Sequence, residues 1–157
     1  MAIGDMFLKV ESARQGVIKG ESSDDAHVAE IEVVNWSWGM RSQSALAGAG
    51  ASSKATLDEL RVIKHVDSAS TALMAAMRSN DLIKKATLTV RKAGSAPLEY
   101  VKIILQSARI TEFTVESEGV ELVERLSIAF QRISVEYTPQ GPDGLARGGM
   151  SFDAEIT

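Results

Sequence analysis

At 157 residues, with 45% apolar and 24% charged side chains, the chain is long enough for one domain that buries about two thirds of its unfolded surface. A net charge of -4 argues against a nucleic-acid surface, since phosphate binding depends on clustered lysine and arginine to release counterions and the sequence shows no such run. The absence of cysteine excludes disulfides, cysteine-ligated zinc and thiol catalysis and leaves the redox compartment open; no apolar run of about twenty residues inserts into a membrane, and "MAIGDMFLKVESAR" lacks the apolar stretch of a secretory signal.

Period-two alternation dominates the chain, which predicts antiparallel strands with one face buried. Met6, Leu8 and Val10 alternate with Phe7 and Lys9 in the first of them. In "HVAEIEVVNWSW", Ile31 and Val33 are out of phase with Val34, Trp36 and Trp38, so the segment is either bulged or covered on both faces. From Gly39 to Ala55, twelve of seventeen residues are Gly, Ala or Ser, the composition of a flexible extended loop, and loops of this length inside a domain are usually functional or disordered. The next strand, in "TLDELRVIKHVD", places Lys64 on the face that Leu60, Val62 and Val66 bury, which predicts a bend or a paired ammonium there.

One short helix is predicted at about residues 70–79, with Ser70 as N-cap, an apolar stripe of Leu73, Met74 and Met77, Arg78 near its C-terminus and Asn80 in the left-handed conformation that closes it. Ala86, Leu88 and Val90 then alternate with Thr87, Thr89 and Arg91; after the turn "KAGSAPLE", with its Gly94 and Pro97, Val101, Ile103 and Leu105 form a core face opposite Tyr100, Lys102, Ile104 and Gln106. In "LSIAFQRISVEY" the apolar positions change phase, with Leu126, Ile128 and Phe130 on one parity and Ile133, Val135 and Tyr137 on the other, which predicts a bulge near Gln131 and Arg132. Residues 138–157 read as a loop-rich tail with a short edge strand around Phe152 to Ile156, and no internal repeat is present. The whole describes a single mainly-β domain over residues 1–157: a closed or nearly closed antiparallel β-barrel of two packed sheets, one short α-helix at its end or side, and one long extended loop.

Chemistry-bearing residues are sparse. Glu21, Asp24, Asp25 and His27 contain metal-ligand types, but acids in a Ser-rich turn are ordinarily solvated and these lack the spacing of a calcium loop. The only histidines are His27 and His65, and no GxSxG elbow frames a serine, so no catalytic residue is nominated. "GAGAS" at 48–52 lacks the strand before it and helix after it that a dinucleotide fingerprint needs. Trp36 and Trp38 share a strand face that suits sugar stacking, burial in a core or interface being the commoner fate of such aromatics. Ile104 on the outward face and the two-sided "EVVNWSW" run leave more apolar surface than one small barrel hides, which points to protein–protein contact.

Four separated segments carry a resemblance. "GESSDDAHVAEIEVVNWSWG" (Gly20 to Gly39), "VDSASTALMAA", "LTVRKAGS" and "VEYTPQGPDG" resemble, in that order, the Hcp family, the haemolysin-coregulated proteins that form the inner tube of the bacterial type VI secretion system. The resemblance implies a compact β-barrel flanked by a helix, subunits that close into homohexameric rings, and rings that stack into a hollow tube. A contractile sheath propels the tube from a baseplate, a spike protein tips it, and effector proteins travel in its lumen. It implies no catalysis, and a protein held in the bacterial cytoplasm before firing and then delivered outside or into a target cell; the residues themselves give no expectation of a cofactor or metal, and with Thr157 as the last residue no fused toxin domain is expected.

The ring-stacking loop implied is Gly39, Met40, Arg41, Ser42, Gln43, Ser44, Ala45, Leu46, Ala47, Gly48, Ala49 and Gly50, continuing to Ala55, and Trp36, Trp38 and Ile104 are subunit-interface or core positions. The chain departs from many family members in having Thr71 where they place Pro after the helix cap, Phe152 where they carry Trp, and only Arg41 and Lys54 as loop charges. A phage-type tail-tube protein and a monomeric carbohydrate-binding barrel using Trp36 and Trp38 are the alternative readings.

Overall fold

The computed structural model describes residues 5–42, 55–92, 98–140 and 148–156. Its elements in chain order are β1 (Met6–Ser12), β2 (Gly16–Ile18), β3 (Ile31–Glu32), β4 (Asn35–Ser37), β5 (Met40–Arg41), β6 (Thr56–Leu57), β7 (Leu60–His65), α1 (Ser70–Arg78), β8 (Ile83–Lys92), β9 (Leu98–Glu118), β10 (Glu121–Tyr137) and β11 (Met150–Glu155). Every strand pairing is antiparallel, and the main sheet runs β2-β1-β8-β9-β10-β7-β4, with β3 also on β1 and β11 also on β10. The sheet is the nearly closed form of the barrel.

Its seam is spanned by the segment whose phase is broken. Leu8 pairs Ile31 on one edge and Trp36 pairs Val62 on the other, while Val33 N–H donates to Met6 O at 3.0 Å and Val34 N–H to Ile63 O at 2.8 Å. Ile31 and Val33 point into the core, Val34 is exposed, and Trp36 is half-buried. The phase break is a handover of the chain from one sheet edge to the other, where a bulge or a doubly covered strand was expected.

The second phase break runs across three strands. Burial changes parity between Ile83 and Ala86 in β8, between Leu105 and Ala108 in β9, and between Phe130 and Ile133 in β10, with Lys84, Lys85, Gln106, Ser107, Gln131 and Arg132 all exposed. Register is kept through it, since Phe130 pairs Ala108 and Arg132 pairs Gln106, and Ser107 sits at φ 52°. All three strands therefore bend together at the predicted place, and the one-residue offset between β9 and β10 lies elsewhere, between Ser127 and Ile128.

The helix begins with Ala69 at the N-cap, one residue before the expected Ser70. Ser70 is buried instead and the N-cap has no side-chain hydrogen bond; Asp67 accepts the Ala69 N–H at 2.9 Å in a turn that leads into the helix. The buried face is Ser70, Leu73 and Ala76 with Met77 packed beside it, whereas Met74 is exposed because it falls one position off that stripe. Asn80 has φ 52°, as a closing residue should.

Two further expectations change. Phe7 is fully buried although it lies opposite the barrel core, because His27 covers it, and Val66 is exposed because β7 ends at His65. The tail carries its edge strand, β11, beginning slightly earlier than expected at Met150. Gly94 and Pro97 lie outside the described residues, and the strands on either side pair as a hairpin up to Lys92 and Leu98.

Candidate functional site

The Gly39–Ala55 loop grows out of the seam. β4 pairs β7 with Ser37 opposite Arg61, and just beyond, Met40 pairs Leu57 and Arg41 pairs Thr56 as a separate two-stranded piece. The described ends of the loop therefore form the stem of a kinked hairpin set apart from the main sheet. Polar contacts fasten the kink: Asp58 N–H donates to Gly39 O at 2.9 Å, Trp38 Nε1–H donates to Asp58 O at 2.8 Å, and Arg41 Nη2 lies 3.3 Å from Asp58 Oδ2. Met40 and Arg41 belong to this paired stem with exposed side chains, so the loop is structured at its root, where the composition read as flexible throughout. Gln43, Ser44, Ala45, Leu46, Ala47, Gly48, Ala49 and Gly50 lie outside the described residues.

Trp36 and Trp38 are half-buried against the core, and Trp36 lines a cleft with Arg61, Glu112 and Arg125. Ile104 is not brought to them. It lies between Thr87 and Ser134 on the outward face, half-buried, in a groove shared with Lys85, Arg132 and Asp153.

Lys64 is the paired ammonium that its position demanded. Its Nζ is 2.5 Å from Glu124 Oε1 and 2.9 Å from Asp67 Oδ1, and it donates to Ser70 Oγ at 3.2 Å; Ser70 Oγ donates in turn to Glu124 Oε1 at 2.9 Å. The network joins β7, β10 and the first turn of α1. A buried charge is tolerable only with such partners, so these bonds fix where the helix sits.

The acids and histidine of the Ser-rich turn are dispersed among other partners. Glu21 accepts the Ser68 N–H at 2.6 Å. Asp24 receives both Nη groups of Arg91, at 3.0 and 2.7 Å, and that bidentate bond, helped by the Ala26 N–H, holds its pKa down at about 2. Asp24 raises the Arg91 pKa in return, and Asp5 lies 3.3 Å from the same guanidinium. His27 stacks on Phe7 with ring centroids 4.4 Å apart, its Nδ1 3.0 Å from Glu30 Oε1 and its Nε2 2.7 Å from Glu99 Oε2. These contacts form a clasp that pins the turn onto β1, β8 and β9. Phe7, Arg91 and Glu99 complete it from distant parts of the sequence, and no local pattern announces them.

The sequence reading also missed a projection. Beyond the His65–Val123 pair, β9 and β10 have only each other, and they run on as a ribbon to a tight turn at Gly119, φ 62°, and Val120. The turn "EGVE" is the local signal that was available. Among the described residues, no helix is long and apolar enough to cross a membrane.

Comparison with known proteins agrees with this architecture. A family model described as type VI secretion system effector, Hcp, matches residues 7–137. Protein hcp1 of Pseudomonas aeruginosa is 35% identical over 150 residues, covering 92% of this chain and 90% of the relative. Among solved structures, a type VI secretion system effector from Yersinia pestis superposes with a TM-score of 0.78 at 25% identity, over 97% of this chain and 100% of that one. Hcp1 from Salmonella typhimurium does so with a TM-score of 0.74 at 26% identity, over 96% and 94%. With a nearly closed antiparallel barrel, one flanking helix among the described residues and a match over most of its length, the chain belongs to the Hcp family of type VI secretion proteins.

Proposed function

We propose that the chain is a non-enzymatic subunit of the type VI inner tube, closing into homohexameric rings that stack into a secreted tube with effectors in its lumen. The observation that carries this reading is the family match over residues 7–137. The hairpin arm rooted at Trp38 and Asp58 supports it, because a projection fastened at its base and exposed at Met40 and Arg41 suits contact with a neighbouring ring. A ring is built from one head-to-tail contact repeated until it closes. In this reading Gly39 to Gly50 carry the stacking, spike, sheath and baseplate are the external partners, and the protein waits in the bacterial cytoplasm until it is fired.

Light scattering on the purified protein across a dilution series tests the ring. The expected mass is near six times 16.8 kDa. A persistent monomer whose tryptophan fluorescence is quenched by sugar would overturn the reading in favour of a carbohydrate-binding barrel. Deleting residues 42–53 is expected to leave rings intact and abolish their stacking; finding only monomers would reassign the loop to ring closure.

A further inference from the structure

We infer that the β9–β10 ribbon of one subunit seats on a basic collar at the helix end of the next subunit in the ring, an inference that rests on the tube-subunit reading. The ribbon has what a contact surface has and an isolated hairpin does not need. Val120 at its turn is 101% exposed, and Val115 and Leu122 are exposed beside it. A bare two-stranded ribbon is marginal in water, and exposed apolar residues at its end favour a partner. The ribbon carries three carboxylates, Glu116, Glu118 and Glu121, against the one guanidinium of Arg125, which lies 3.5 Å from Glu116 and 3.0 Å from Glu118; His65 lies 4.0 Å from Glu121.

The collar has the opposite character. Arg78 ends α1, Lys84 and Lys85 open β8, Arg109 of β9 donates to Asn80 O, and Arg14 follows β1. Contacts gather these five cations around one short segment: Ala13 N–H donates to Leu82 O at 2.9 Å, Ile83 pairs Ala108, and Arg14 lies 3.7 Å from Asp81. All five are exposed, and Arg78, Lys84 and Lys85 have no ion-pair partner among the described residues. Leu82 and Met74 give the collar an exposed apolar centre. An acidic ribbon tipped with apolar side chains thus matches a basic collar with an apolar middle, in sign and in kind.

The match cannot be made within one molecule. Nine residue steps of extended strand lead from Arg109 to Glu118, about 30 Å along β9. The complement must come from another copy, and because the two surfaces differ, the contact is heterologous, the type whose repetition closes a ring.

Charge reversal in a pairwise design tests this. E118K/E121K reverses the ribbon and K84E/K85E reverses the collar, all at exposed positions. Each variant alone is expected to sediment as a single chain under conditions in which the wild type sediments as a ring, with an unchanged circular dichroism spectrum. An equimolar mixture is expected to regain ring mass, because in an alternating ring every lysine ribbon meets a glutamate collar and every glutamate ribbon meets a lysine collar. Rings from either variant alone, or no recovery on mixing, would overturn the inference while a wild-type ring leaves the tube reading standing. A wild type that never forms rings would overturn both.

Discussion

Replacing Lys64 with methionine keeps the length of the side chain and removes its charge from a place that water does not reach. Lys64 and Glu124 are both 0% exposed, and Glu124 Oε2 is buried without a hydrogen-bond partner among the described residues. The substitution therefore leaves the Glu124 carboxylate with only the Ser70 hydroxyl, and an uncompensated buried charge costs about 3–5 kcal/mol. Against a domain stability of roughly 5–15 kcal/mol, that displaces the urea midpoint by on the order of 1–2 M. Changing both residues to apolar ones of similar volume, as in K64M/E124L, is expected to return most of the loss, because the ion pair is itself taxed by desolvation and by its unsatisfied oxygen. Urea unfolding followed by Trp36 and Trp38 fluorescence measures both, at a concentration low enough for single chains, since assembly adds stability by mass action. A K64M cost below about 1 kcal/mol, or a double variant as unstable as the two single losses combined, would refute the reasoning.

Three other outcomes follow from particular atoms. A Cβ at Gly20 would lie 2.6 Å from Glu30 O and 2.8 Å from Ile31 Cα, both backbone, so Gly20→Ala is expected to lower stability by about 1–3 kcal/mol in the same assay; an unchanged midpoint would mean that the turn yields freely. Asp24 has its folded pKa lowered from 3.8 to about 2, so its contribution is fully present above about pH 4 and is lost as pH falls through 2. Asp24→Asn should therefore be less stable than wild type at neutral pH, with the gap closing between pH 4 and 2, and a pH-independent gap would contradict the Arg91 clasp. Ser107 at φ 52° is expected to accept glycine at no cost or with a gain of up to about 1 kcal/mol, and to lose about 1–2 kcal/mol on Ser107→Val; equal stabilities would show that the bend does not require the left-handed residue.

The strands were legible because alternation is a local property: Ala86, Leu88 and Val90 are read from their own neighbours, and the buried Lys64 from its place on an apolar face. Phase breaks were legible as breaks but not as kinds. The same disrupted pattern marks a handover between edges at Val33–Val34 and a bend across three strands at Ser107, and only the pairing partners tell them apart. Phe7 defeated the reading because its cover, His27, arrives twenty residues later. The stem of the arm, two residues on each side, is too short to have a period at all. Of the candidate positions, Trp36 and Trp38 pack half-buried against the core, whereas Ile104 is separated from them, and the ribbon was hidden because its exposed charges read as ordinary surface.

The kinked hairpin also determines where a pull is felt. Among the described residues, tension on the arm enters the fold at Gly39, just after β4, and Asp58, just before β7. Those two strands are bonded to each other, and Asp58 N–H is bonded to Gly39 O across the gap. The load path closes on itself at the root, within the seam, before it passes to β10 through β7 and to β1 through Val33 and β3. A subunit tugged by its arm would open there first, with the rest of its core still at rest.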